Sequence, residues 1–105
     1  MQKSISDEKE VKRAERKEKD LRKQELNDIR TVLSNASGRR FLWRILSKCN
    51  TFNSVYTKDE NRVFYNSGQQ DIGHFLMAEV VETDENLLLK MMKDNQTKNN
   101  GEIND

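Results

Sequence analysis

The sequence predicts an all-α protein: a long charged N-terminal helix followed by a compact three-helix domain with one irregular loop or small hairpin. Three observations carry this expectation. Acid-first charge pairs stand at i,i+4 near the N-terminus (Glu8 with Lys12, Glu15 with Lys19, Glu18 with Arg22), the order that supports a helix. Apolar residues then recur at three- and four-residue spacing. Residues that cap helices sit between the apolar stripes, at Ser34, Asn35, Asn66, Ser67, Thr83 and Asp84.

The first helix is expected over about residues 8–34, roughly 40 Å long at ~1.5 Å per residue. Val11, Ala14 and Leu21 are sparse, whereas Leu26, Ile29, Val32 and Leu33 form a regular stripe. The first half should be solvated and the last two turns docked. The charge run is read as a solvated face or frayed tail, or as a surface for a coiled coil or a larger assembly. Ser34 or Asn35 caps a second helix over about 36–49. Its apolar face is Phe41, Leu42, Ile45, Leu46 and Cys49, with Arg40, Arg44 and Lys48 as a basic ridge. At ~100° per residue, Trp43 falls between Arg40 and Ser47, away from the apolar centre.

Residues 50–66 are the least helical stretch. Val55-Tyr56-Thr57 and Arg62-Val63-Phe64-Tyr65 flank the polar run Lys58-Asp59-Glu60-Asn61. That pattern fits a small hairpin or an irregular loop anchored by Phe52, Tyr56 and Phe64. A third helix is expected over about 67–82, with Ile72, Phe75, Leu76 and Val80 as its stripe. Gly73 within it costs up to ~1 kcal/mol relative to Ala, which close approach of another helix would explain. After Thr83 and Asp84 a fourth helix carries Leu87, Leu88, Leu89, Met91 and Met92. The domain plan is therefore a charged helical extension over 1–27, a small helical domain over 28–93 and a disordered polar tail over 94–105.

Composition excludes several classes. The 105 residues hold one Cys, one His and no Pro, with 35% charged and 33% hydrophobic side chains. One Cys excludes a disulfide framework and a Cys-based zinc cluster, and one His excludes the common multi-His metal sites. No apolar run approaches the ~20 residues of a membrane helix. The N-terminus from Met1 to Asp7 lacks the apolar core of a signal peptide, so a reducing cytosol, or a particle assembled there, is expected. Net charge is +1, but residues 31–60 carry +3 and residues 61–105 carry −4. Such asymmetry suits self-association or docking as well as nucleic-acid contact.

The catalytic inventory is nearly empty. Asp84/Glu85 and Glu79/Glu82 are paired carboxylates without a basic or nucleophilic companion in sequence. His74 reads as a partly buried helix residue and Cys49 as a buried structural thiol. Phosphate-loop, zinc-protease and nucleophile-elbow motifs are missing. No enzymatic activity, cofactor or metal is expected. Met77, Met91 and Met92 read as core filling or as a Met-rich groove. The feature with functional colour is the basic-aromatic face of Arg39, Arg40, Trp43 and Arg44, extended by Lys48. Arg and Trp are enriched at protein interfaces. They also grip phosphates and stack on bases. A third reading packs Trp43 under the first helix, with the arginines paired to that helix's acids.

Two blocks carry a resemblance. The first is Arg30-x-Val32-Leu33, then Gly38-Arg39-Arg40-Phe41-Leu42-Trp43-Arg44-Ile45-Leu46, Cys49 and Phe52; the second is Phe64, Gly68, Gly73 and Leu89-x-Met91-Met92. Over about residues 28–93 the chain resembles a small domain of tailed bacteriophages, encoded among virion structural and assembly genes near the portal gene. Gly68-Gln69-Gln70 stands where a second Gly-Arg-Arg is expected, which removes two charges and weakens a nucleic-acid role. The resemblance implies a virion-associated or assembly protein that acts through protein–protein contacts. It would be a portal or neck component or a packaged internal protein. It would be oligomeric in the particle and present in the host cytoplasm before assembly. The alternative is a small nucleic-acid-binding or host-takeover factor using the same basic face.

Overall fold

Four helices, α1 (Ile5–Leu33), α2 (Ala36–Lys48), α3 (Glu60–Thr83) and α4 (Glu85–Asn104), make up the computed structural model, which describes residues 4–104 and side chains over 4–96. The fold is all-α, and the described residues contain no strand. Ser4 caps α1 by accepting a hydrogen bond from the Asp7 amide, and Asp7 and Glu8 stand in the first turn. Carboxylates there complement the helix dipole. Asn35 rather than Ser34 caps α2, its side chain accepting from the Gly38 amide at 2.8 Å. Only Ser34 and Asn35 separate the two helices. A turn that short brings α2 onto the end of α1. A Cβ on Gly38 would lie 1.7 Å from the Val32 carbonyl oxygen, so the corner requires glycine.

The end of α2 is closed by a Schellman motif. Asn50 adopts φ 56°, the Thr51 amide donates to Leu46 O and the Asn50 amide to Ser47 O. Asn tolerates the left-handed conformation better than most residues, and the motif satisfies the last carbonyls of the helix. The motif then docks on α3 at Gly73, where a Cβ would meet Thr51 Oγ1 at 2.0 Å and Cys49 Cβ at 3.1 Å. The close approach expected at Gly73 is thus made by the C-terminal cap of α2. Gln70 Nε2 donates to the carbonyls of Asn50 and Asn53, and Asn50 Nδ2 donates to Gln69 Oε1. The two glutamines of the Gly68-Gln69-Gln70 segment hold this turn.

The third helix begins at Glu60, seven residues before the expected start. Asp59 is its cap, accepting from the Asn61 amide at 3.0 Å through its carboxylate and from the Val63 amide through its carbonyl. The polar run read as a hairpin turn is helix-starting chemistry. Arg62 then lies 5.4 Å over the Tyr65 ring, one turn along the same helix. Residues 49–59 form the irregular connection, with no hairpin. Asp84 joins α3 to α4 as a single extended residue whose carboxylate accepts from the Asn86 amide. The expected disordered tail does not begin at residue 94. Asp94 and Asn95 lie in α4, and Asn95 Nδ2 donates to Met91 O. The side chains of residues 97–105 lie outside the described residues.

Among the described residues each helix contributes one fully buried apolar side chain: Leu33, Leu46, Val80 and Met91. Ile29, Leu42, Trp43, Leu76, Leu87 and Leu88 pack around them. Ion pairs and polar bonds extend the docking along α1. Arg22 reaches Glu79 at 2.7 Å and also pairs with Glu82, and Arg30 donates to the Thr83 carbonyl at 2.9 Å. Hydrogen bonds from Arg22 to Glu82 and Glu79 stabilise the guanidinium cation and raise its pKa above the ordinary arginine value. Arg22 therefore reaches across to α3 and does not pair with Glu18. Residues 5–21 of α1 are exposed throughout, an arm of roughly 25 Å at ~1.5 Å per residue. The radius of gyration is 19.9 Å, against ~13 Å for a compact domain of this length.

Candidate interaction site

Helical phase sorts the basic residues of α2 into two groups. Arg39, Leu42 and Leu46 share a face at i, i+3 and i+7, which is the buried face. Arg39 is accordingly only 8% exposed. Its Nη1 donates to Leu33 O at 3.0 Å and its Nε to Asp94 Oδ2 at 3.1 Å. The sequence reading grouped Arg39 with the outward-facing arginines. The structure turns it inward as a strut that ties α1, α2 and α4 together. Its acidic partner comes from α4, not from α1.

Arg40 and Arg44 stand one turn apart on the exposed face. Arg40 Nη2 contacts Ser37 Oγ at 3.2 Å, and Arg44 has no ion-pair partner among the described residues. With Trp43, Phe41 and Ser47 they line an open groove of about 690 Å³, whose far wall is Asp94 and Asn95 of α4. Trp43 is half-buried: it packs on the core cluster and stacks on Phe52 at 5.1 Å with rings 25° apart. Trp43 thus takes part both in the packing of the core and in the lining of the groove. Lys48 is exposed beyond the groove. Arg40, Trp43 and Arg44 are thus brought together, while Arg39 forms the floor and Lys48 stands apart. The sequence reading missed Asp94 and Asn95. Their signal was the continuation of the Leu87, Leu88, Met91 stripe at i+3 and i+4.

Phe41 separates this groove from a second, apolar cleft of about 240 Å³. Ile29, Val32, Leu42, Leu76 and Val80 line the cleft, with Asp28 and Glu79 also at its wall. Several residues expected in the core lie on or beside it and face solvent. Phe75 is 59% exposed, Ile72 56%, Phe41 56% and Val32 51%. On α3, Ile72 and Phe75 turn away from the line of Gly73, Leu76 and Val80 that meets the other helices.

The chemically reactive side chains are not gathered. Cys49 is half-buried at the cap of α2, not fully buried as expected, because it closes the helix beside Gly73. His74 is exposed, with Nε2 3.3 Å from Thr51 O. Among the described residues no group of three or more His, Cys, Asp or Glu is placed to hold a metal ion. No helix among them is long and apolar enough to cross a membrane.

Nothing among curated proteins and nothing among solved structures matches the chain. A family model does, that of the Bbp19-like phage proteins, over residues 29–93. The match begins at the docked end of α1 and runs to the turn of α4 that carries Met91, so it takes in all four core residues. It excludes the exposed arm, and it stops one residue before Asp94, the partner of Arg39. With well over half of its length matched, the chain belongs to the Bbp19-like family of phage proteins.

Proposed function

We propose that this phage protein is a non-enzymatic virion-associated or assembly component that works through protein–protein contacts, as a portal or neck component or a packaged internal protein. One observation carries the reading. The accessible surface is 8735 Å², against the ~6,100 Å² expected of a compact monomer of 12.4 kDa. Among the described residues, the projecting arm and the apolar side chains left uncovered around Leu33, Leu46, Val80 and Met91 contribute to that area. Exposed apolar side chains such as Phe41, Ile72 and Phe75, each more than half exposed, are what a contact partner removes from water. The protein is taken to be oligomeric in the particle and to reside in the host cytoplasm before assembly.

Quantitative mass spectrometry of purified virions, counted against the portal subunit, tests the reading. A fixed copy number supports it, and one copy per portal subunit supports a place at that vertex. Absence from particles together with abundance in infected cells refutes a virion role.

The groove of Arg40, Trp43 and Arg44 favours a second reading, contact with nucleic acid. The arm adds a cluster of Lys9, Lys12, Arg13 and Arg16. Binding of this kind weakens steeply as salt rises, because each neutralised phosphate releases counterions. A gel shift at low salt with no retarded band removes it.

A further inference from the structure

We propose that a second copy of this chain covers the apolar face formed by Val32, Phe41, Ile72, Phe75 and Leu76. In this two-fold pair the Arg44–Lys48 edge of α2 in each protomer meets the Asp28 and Asp71 carboxylates of the other. The proposal deepens the contact reading above and shares with it the premise that the exposed apolar surface is covered.

The face is continuous. Val32, Phe41 and Leu76 line one cleft. Ile72 lies one turn before Leu76 on α3, and Phe75 follows it at i+3. Free aromatic side chains present about 150–250 Å² each. With more than half of Phe41, Phe75, Ile72 and Val32 exposed, the open apolar area is roughly 400 Å². A standard interface buries about 800 Å² per partner, of which somewhat over half is apolar. The patch therefore supplies most of the apolar centre that one half of a stable dimer needs.

Charge selects the partner. On the α2 side of Phe41 stand Arg44 and Lys48, both exposed and without an ion-pair partner among the described residues. On the other side Asp28 stands at the cleft wall and Asp71 one turn before Phe75, both exposed and without an ion-pair partner among the described residues. A surface ordered basic, apolar, acidic complements itself when a second copy is rotated by half a turn about the apolar centre. Residue i then contacts j while j contacts i, as a two-fold interface requires. Direct pairing of α3 with α3 of another copy would instead bring Asp71 towards its own kind, which like-charge repulsion opposes.

The test uses the full chain and measures mass in solution by light scattering and sedimentation, with circular dichroism as a check on helicity. The unsubstituted protein is expected to be a dimer at about 100 μM. Phe75→Asp removes a central anchor and is expected to raise the dissociation constant at least thirty-fold with helicity unchanged; Ile72→Lys should act alike. A pair of charge reversals tests the geometry independently. Arg44→Glu/Lys48→Glu and Asp28→Lys/Asp71→Lys should each be monomeric alone and form a heterodimer when mixed, since both contacts are then opposite in sign. A monomeric wild type, a dimer untouched by Phe75→Asp and Ile72→Lys, or a failure of the two reversed variants to combine would overturn the proposal. The two readings fail separately: a dimer that never enters virions refutes the particle role alone, and a virion protein that is monomeric in solution refutes this interface alone.

Discussion

Gly68 and Gly73 lie in the same helix and the same substitution should act on them with opposite sign. Replacing an interior helical glycine by alanine gains about 0.5–1 kcal/mol, through helix propensity and a less flexible unfolded chain. At Gly68 nothing lies within 4 Å of the added Cβ, so Gly68→Ala should stabilise by about that amount. At Gly73 the Cβ would stand 2.0 Å from Thr51 Oγ1 and 3.1 Å from both Thr51 Cβ and Cys49 Cβ. Thr51 cannot swing aside freely. It is buried, and its hydroxyl donates to Leu46 O at 2.7 Å within the cap of α2. Displacing the cap costs about 1–3 kcal/mol of overpacking and about 1 kcal/mol for the hydrogen bond. Set against the propensity gain, Gly73→Ala should destabilise by about 1–3 kcal/mol. Urea unfolding of both variants at one protein concentration, followed by circular dichroism, gives the two shifts. A Gly73→Ala midpoint at or above that of the parent would refute the packing of the α2 cap on α3.

Other outcomes follow from the same contacts. Leu46→Ala empties a fully buried position in a four-residue core and should cost about 2–5 kcal/mol, enough to broaden or abolish the cooperative thermal transition of so small a domain. Asp94→Ala leaves the buried Arg39 with Leu33 O as its remaining partner and should destabilise by about 1–3 kcal/mol; a chain ending at residue 93 should lose at least as much, and equal melting of that truncation and the full chain would contradict the strut. Arg22→Ala should quicken amide exchange over about residues 18–26 and lower the melting midpoint more at low salt than at high salt, because the pairs it breaks with Glu79 and Glu82 are partly solvated.

The parts of the fold that were legible in the sequence are those decided by neighbouring residues. Asn35 and Asp84 divide the helices where cap chemistry says they should. The docked end of α1 follows its apolar stripe. The start of α3 was not legible, since an Asp before a polar run serves a turn or a helix cap equally well. Val63-Phe64-Tyr65 also reads as strand until Asp59 is seen to cap the helix. Arg39 was mis-grouped by adjacency to Arg40, although its phase with Leu42 and Leu46 already pointed inward. Asp94 was lost because its polar neighbours masked the continuing helix face. The exposure of Phe41, Ile72 and Phe75 could not be read from periodicity at all. Periodicity marks an apolar face, whereas coverage depends on how much surface the other helices can reach.

The joint between α1 and α2 has a consequence for the arm. The joint is two residues long and wedged at Gly38 against Val32, while Arg22 clamps the same helix to α3. The helix therefore leaves the body with a set direction, and its free end behaves as the pointer of a dial. One residue inserted between Leu21 and Arg22 would turn every charge beyond it by ~100° and carry it ~1.5 Å farther out, leaving the body untouched. Residue count in the arm is thus an address, one that lengthening or shortening can rewrite without disturbing the core.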